Sequence, residues 1–327
     1  MIISRTPLRV SFTGGGSDMQ VFYQKFGGAV ISTAINKYVY VNVNKKFDDG
    51  IRLSYSKTED VMSLSQLDHK LVKATLEHLK IFSGVEITSI ADIPSRGSGL
   101  GSSSSFTVGL LHALNAYLGK YVSSEYLASA ACEIEIDICG EPIGKQDQYA
   151  AAFGGFNLIE FNGDESVIVS PIICKAETIK SIENNLICFY TGITRSASDI
   201  LLKQSEAVGT NDKKKSVLKQ MVELTYDLKK ELQNNNVDHF GNILHENWLL
   251  KKSLLKQISS SDIDDLYNKA RKVGATGGKI LGAGAGGFLL LYAPVEKHEL
   301  IRKELSILRE VEIKFDPLGS RIIFYQN

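Results

Sequence analysis

Apolar positions recur along the chain with two periods, and these divide it into strands and helices. Residues 38–44, Tyr-Val-Tyr-Val-Asn-Val-Asn, alternate with β-branched residues on one face and predict a strand. Residues 29–35 predict another, 51–55 and 85–90 weaker ones, and 2–12 an edge strand, because Pro7 cannot donate to a ladder. Spacings of three and four predict a helix from Ser102 onward, with Phe106, Leu110, Leu111, Leu114 and Leu118 as its apolar stripe. Further helices are predicted at 19–26, 67–82, 123–139, 195–208, 213–258, 262–273 and 296–308, with Asn234-Asn235-Asn236 breaking the longest. A hairpin is predicted from 156–161 and 167–169, and strands at 186–190, 288–292, 311–315 and 322–324. Strands and helices mix without regular β-α-β alternation, which predicts an α+β protein. The pattern shifts around 171–183, so two domains are expected, 1–172 and 173–327.

Three glycine-rich stretches interrupt these elements. The central one, Pro94-Ser-Arg-Gly-Ser-Gly-Leu-Gly-Ser-Ser-Ser-Ser-Phe106, alternates Gly97, Gly99 and Gly101 with other residues and runs straight into the periodic helix. Glycine lets backbone approach a ligand closely, serine is a preferred N-cap, and the free N–H groups of a helix start carry partial positive charge. The combination predicts an anion cradle, and phosphate is the usual anion. The first stretch, Thr13-Gly14-Gly15-Gly16-Ser17-Asp18, brings amides and a carboxylate to a turn, with Asp18 either capping the next helix or meeting a ligand. The third, 274–287, holds seven glycines. Its Gly282-x-Gly284-x-x-Gly287 spacing imitates a dinucleotide fingerprint, but a helix precedes it and a strand follows, the reverse of the required order. No Gly-x-x-x-x-Gly-Lys-Ser/Thr occurs, which excludes a P-loop.

Composition removes other classes. The 37 basic and 37 acidic residues balance, so nothing marks a nucleic-acid or anionic-membrane partner. No apolar run approaches the roughly 20 residues that span a bilayer, and the first residues, Met-Ile-Ile-Ser-Arg-Thr-Pro, lack a signal peptide's apolar centre. The cytoplasm is the expected location. Cys132, Cys139, Cys174 and Cys188 form no Cys-x-x-Cys pair, which predicts free thiols rather than a zinc site or a disulfide framework.

Taken together, the three glycine-rich stretches resemble the motifs of the GHMP small-molecule kinases, the superfamily of galactokinase, homoserine kinase, mevalonate kinase and phosphomevalonate kinase. Thr6-Pro-Leu-Arg9-Val-Ser-Phe-Thr-Gly-Gly-Gly-Ser-Asp18 resembles the first motif, residues 94–104 the second and Lys279-Ile-Leu-Gly-Ala-Gly-Ala-Gly-Gly287 the third, in the family's order. The resemblance implies a two-domain α+β GHMP kinase fold with the active site between the domains, ATP as co-substrate and Mg²⁺ as cofactor. It implies that Arg96, Gly97, Ser98, Gly99, Leu100, Gly101, Ser102, Ser103 and Ser104 wrap the ATP phosphates. Ser103 takes the place of one magnesium ligand, with Ser102 or Ser104 as substitutes, and Glu135, five residues before Gly140, takes the other. Gly144-Lys-Gln-Asp147-Gln148 matches the turn that carries a catalytic aspartate in galactokinase-like members, which implies Asp147 as the base. Arg9 is then the cation beside it, expected to depress the carboxylate's pKa and stabilise transition-state charge.

The same likeness bears on the acceptor. Galactokinases carry Gly-Glu-His-x-Asp in the first motif; here Gly15 and Gly16 replace Glu and His, and Asp18 remains to accept from a hydroxyl. The exchange leaves room and backbone amides for a bulkier or anionic acceptor. The first motif, the 140–150 turn and Thr191-Gly-Ile-Thr-Arg195-Ser-Ala-Ser are similar to those of sugar kinases acting on D-glycero-D-manno-heptose 7-phosphate. That implies Gly15, Gly16, Ser17, Asp18, Gly284 and Ala285 near the sugar, and Arg195, then Lys145, on its phosphate. The implied partners are ATP and a small sugar phosphate, with a homodimer as the self-association entertained. Kinases of neutral sugars such as fucose or galactose, and catalytically silent sugar sensors, share enough of these motifs to stay open.

Overall fold

The computed structural model describes residues 1–93, 97–193 and 197–326. Its longest strand, Gly28–Lys45, joins the two strands predicted at 29–35 and 38–44. The first half is buried at every position from Gly28 to Ile35, whereas Val39, Val41 and Val43 are buried in alternation with half-exposed neighbours. Continuous and alternating apolar patterns thus mark a stretch covered on both faces and one covered on a single face. The C-terminal segment holds the two halves together: Asn36 and Lys314 exchange hydrogen bonds of 2.8 Å, and Ile35 bridges to Phe315.

Ile2–Thr13 pairs along one side of this strand; on the other, Phe156–Phe161 pairs with residues 28–33 and Val85–Ala91 with 39–45. Val167–Pro171 extends the sheet beyond Phe156–Phe161, while Ile51–Ser54, parallel to Val85–Ala91, and Thr58–Val61 extend it at the other end. Contrary to expectation, Ile2–Thr13 is not an edge: Arg321–Tyr325 pairs with Ile2 through Arg5. Pro7 lies just past that pairing, where the register also shifts, so its missing N–H leaves no gap in the ladder.

A second, antiparallel sheet is ordered Arg309–Glu310, Leu186–Tyr190, Phe288–Tyr292, Gly277–Ile280. Gly277–Ile280 was hidden in the third glycine-rich stretch, and the strand predicted at 311–315 does not form: a two-residue strand, Arg309–Glu310, precedes it and only Phe315 makes an isolated bridge. Ala197–Thr210, Asp212–Gln233 and Phe240–Leu254 are the helices of the C-terminal half that reach the first sheet or its loops. One apolar cluster joins Leu8 and Phe12 to Phe240, Leu244, Leu281 and Phe288, so the two sheets share a core. The mixed α+β architecture is as expected.

Ser102–Tyr117 lies on Ile2–Thr13 and Gly28–Lys45, flanked by Ser124–Cys132 and Gln146–Phe153. The single apolar stripe expected of it is wrong. It is buried nearly all round, with Ser104, Ser105, Thr107, Val108 and Asn115 as well as the leucines out of solvent, while Leu118 is exposed. Small side chains on the polar faces let strands and helices close in from every direction. All four cysteines are free thiols. No described helix is long and apolar enough to cross a membrane.

Candidate active site

The helix Ser102–Tyr117 begins without a side-chain cap. Its N-cap is Gly101, at φ 76°, rather than the expected serine. That left-handed conformation is cheap only for glycine. Ser105 N–H makes the first helical bond, to Gly101 O at 2.9 Å, so the amides before it are left for something else. The Ser102 hydroxyl pairs sideways with Ser98 at 2.8 Å. Uncapped amides and the helix dipole point into a cleft of about 300 Å³ lined by Gly97, Ser98, Gly99, Gly101 and Ser102–Ser104. The loop is held by the third glycine-rich stretch: a Cβ on Gly99 would lie 2.3 Å from Leu281 O, and one on Gly282 2.6 Å from Gly99 Cα. Backbone stacks on backbone there, and no larger residue fits on either side.

Across the cleft stands a paired acid and base. Arg9, 3% exposed, donates from Nε and Nη2 to the two oxygens of Asp147, each at 2.8 Å, and from Nη1 to Gly99 O at 2.7 Å. Its backbone N–H reaches Leu100 O at 3.0 Å, so a single strand residue ties the central glycine-rich loop to Asp147. Asp147 comes from the first turn of Gln146–Phe153 and keeps 24% of its side chain open to the cleft. Its pKa is not depressed as expected. Burial raises it, Arg9 opposes, and the nearby Asp18 charge adds to the rise. Asp18 does not cap its helix. It accepts from Gly16 N–H at 2.8 Å and from Gln146, at 3.2 Å from the backbone and 3.1 Å from Nε2.

Glu135 is fully buried, unlike Glu133 and Asp137 beside it. It sits in a π-helical turn, Glu133–Ile138, that continues Ser124–Cys132, and such wide turns recur at functional sites. Its carboxylate accepts from Ser104 at 2.7 Å, Thr107 at 2.8 Å, Ser103 at 3.4 Å and Gln148 Nε2. No cation pairs with it among the described residues, and burial lifts its pKa to about 7 against the pull of those hydrogen bonds. The Glu135 carboxylate, without a cation partner among the described residues, and the exposed Ser103 hydroxyl both line the cleft as oxygen donors. That chemistry fits a hard cation such as Mg²⁺.

Several expected residues lie elsewhere. Ser17 is buried and exchanges hydrogen bonds with the Ala29 backbone. Lys145 turns away to ion-pair with Glu165 over the Tyr23 ring. Gly284 and Ala285 pack on Ile258, and Gly282 and Ala283 line the cleft instead. Leu100 is core, joined to the site through its carbonyl. Gly15, Gly16 and Asp18 do line the cleft. Arg96 and Arg195 lie outside the described residues. Sequence reading missed Ser11, Lys251 and Lys279, all buried and all at the cleft. Lys279 is the first residue of the third motif, a signal that was there to read; Lys251 sits on a helix among other lysines and gave none. A second cavity of about 630 Å³, walled by Val39, Tyr55, His69, Leu71 and Phe106, meets the first at Ser102 and Ser103.

These features define a glycine- and serine-walled cleft with an uncapped helix start on one side and the Arg9–Asp147 pair on the other. The family models for the GHMP kinases N-terminal domain and the GHMP kinases C-terminal region match residues 69–155 and 228–310. The chain is 31% identical to a D-glycero-alpha-D-manno-heptose 7-phosphate kinase of Campylobacter jejuni, over 94% of this chain and 95% of that protein. The chain therefore belongs to the GHMP kinases. It is also similar to a solved D-glycero-D-manno-heptose 1-phosphate kinase from Bacteroides thetaiotaomicron, 26% identical with a TM-score of 0.82 and all of both chains covered. A bifunctional fucokinase/GDP-fucose pyrophosphorylase of Arabidopsis thaliana is 27% identical over 94% of this chain and 31% of its own length.

Proposed function

We propose that this kinase transfers the γ-phosphoryl group of ATP to the anomeric hydroxyl of D-glycero-D-manno-heptose 7-phosphate, giving the 1,7-bisphosphate used to make nucleotide-activated heptose for surface polysaccharide. The observation that carries it is Asp147, clamped by Arg9 at 2.8 Å, opposite an uncapped helix start in one cleft. The amides of Ser102–Ser104 grip the triphosphate, and the cavity of Tyr55, His69 and Phe106 receives the adenine. Asp18 and Gln146 take the sugar hydroxyls. Asp147 accepts the proton of the attacking hydroxyl as its oxygen bonds to the γ-phosphorus and the bond to the β,γ-bridging oxygen breaks, releasing ADP. Arg9 fixes the carboxylate and balances charge as the phosphoryl passes. Ser103 and Glu135 would hold Mg²⁺, which when bound neutralises phosphate charge.

The test is ADP release from ATP with heptose 7-phosphate, mannose, fucose and galactose offered separately. The heptose 7-phosphate should give the highest kcat/KM by at least about tenfold, about 1.4 kcal/mol of discrimination. The fucokinase likeness makes fucose the strongest rival, and preferential turnover of fucose would replace this reading with it. No turnover with any sugar, alongside sugar-dependent thermal stabilisation, would mark a sensor.

A further inference from the structure

Two lysine amino groups stand in the cleft without an ion-pair partner among the described residues, with the Asp18 carboxylate the nearby charge acting on Lys251. Lys251, on Phe240–Leu254, donates to Gly15 O at 3.1 Å and Gln204 Oε1 at 2.9 Å. Lys279, on Gly277–Ile280, donates to Ser11 O at 2.7 Å and Phe12 O at 3.3 Å. Each is only 5% exposed, every acceptor is neutral, and neither lysine has an ion-pair partner among the described residues. Burying an unpaired cation is costly. An ammonium has three N–H donors, so each lysine has one left after these bonds. The Ser11 hydroxyl, buried in the same cleft, has no partner among the described residues. Two lysine amino groups and three unused donors therefore converge in one cleft.

We propose that Lys251, supported by Lys279 and the Ser11 hydroxyl, is the subsite for the phosphate that the acceptor already carries, distinct from the cradle for ATP. The assignment rests on the sugar-phosphate reading above. It replaces Lys145, whose charge Glu165 already satisfies. The opposing interpretation is a structural tie, since Lys251 links the Gly15 turn to the helix Ala197–Thr210 through Gln204. A tie and a ligand site differ in one respect. Losing a tie disturbs the binding of every substrate alike, whereas losing a phosphate subsite acts on the phosphorylated acceptor alone.

Lys251→Met in the full chain separates them, with heptose 7-phosphate and unphosphorylated heptose as the two acceptors. The expected variant keeps its KM for ATP and raises KM for heptose 7-phosphate by about tenfold to a hundredfold, one lost charge-assisted hydrogen bond or two. Its KM for heptose stays put. Lys279→Met should show the same pattern, more weakly. If wild-type enzyme prefers the 7-phosphate and Lys251→Met leaves that KM unchanged, the subsite is wrong and the sugar-phosphate reading survives. A variant whose KM rises alike for ATP, heptose and heptose 7-phosphate also overturns the subsite, in favour of the tie. Wild-type enzyme with equal kcat/KM for heptose and its 7-phosphate overturns the sugar-phosphate reading and the subsite with it.

Discussion

Replacing Asp147 by asparagine probes the acid–base pair at nearly constant volume. Arg9 is 3% exposed and donates twice to the Asp147 carboxylate, both bonds at 2.8 Å. Asparagine offers one acceptor oxygen and turns an amide NH₂ toward the second guanidinium N–H, so one charge-assisted bond is lost and Arg9 loses its neutralising partner. Breaking a fully buried pair costs about 3–5 kcal/mol. Asp147 is 24% open, so water screens part of that, and about 2–3 kcal/mol is expected. In a chain of 327 residues this corresponds to a melting temperature lower by about 3–5 °C. The rate should fall much further. Loss of the proton acceptor alone removes a factor of about 10²–10⁴ from kcat. KM for ATP should hold, because Asp147 makes no bond to the serine-helix amides. ADP release coupled to NADH oxidation gives the rate, and scanning fluorimetry gives the stability. A variant retaining more than about a tenth of wild-type kcat, with sugar and ATP saturating, refutes the assignment of Asp147 as the base.

Glu135→Gln should raise the Mg²⁺ concentration for half-maximal rate by about tenfold or more, without lowering the stability of the metal-free protein, since burial already disfavours this carboxylate; an unchanged Mg²⁺ titration contradicts that role. Gly99→Ala forces a Cβ to 2.3 Å from Leu281 O at φ 74°, so KM for ATP should rise by about tenfold or more while circular dichroism stays native; wild-type KM would show that the loop does not need this packing. Burial lowers the Lys251 pKa from 10.5 to about 8, with Asp18 pulling it up. The unfolded chain then binds the extra proton between those values, so this residue's contribution to stability rises with pH from about 8 to 10.5. Its charge in the free enzyme is lost over the same rise, so kcat/KM for a phosphorylated sugar should fall above about pH 8. Lys279, with a pKa lowered to about 7 by burial and by the Lys251 and Arg9 charges, begins to lose its proton at lower pH. Lys251→Met should flatten the alkaline limb, and an identical limb in the variant contradicts it.

Much of this site could be read before folding because glycine and serine announce backbone chemistry directly. Gly97, Gly99 and Gly101 ahead of a periodic helix announce the uncapped helix start that the cleft contains, and Asp147 and Arg9 stand in motifs of fixed spacing. What stayed hidden depends on tertiary packing. The alternation Glu133-Ile-Glu-Ile-Asp-Ile138 suits a strand or a helix equally, and only the π turn decides that Glu135 goes inward. Gly277–Ile280 carries too few side chains to show a strand's period. Lys251 looks like any surface lysine until Phe240–Leu254 packs on Gly277–Ile280 and turns it to the cleft. Lys145 failed in the opposite way, since nothing local announces Glu165 twenty residues on.

The most direct test is a crystal structure of the enzyme with Mg²⁺ and a non-hydrolysable ATP analogue. It should place the β- and γ-phosphates within hydrogen-bond distance of the Ser102–Ser104 amides, with the terminal phosphorus facing Asp147 across the cleft. A triphosphate bound away from that helix start, or a terminal phosphorus too far from Asp147 for one acceptor hydroxyl to touch both, would contradict the account.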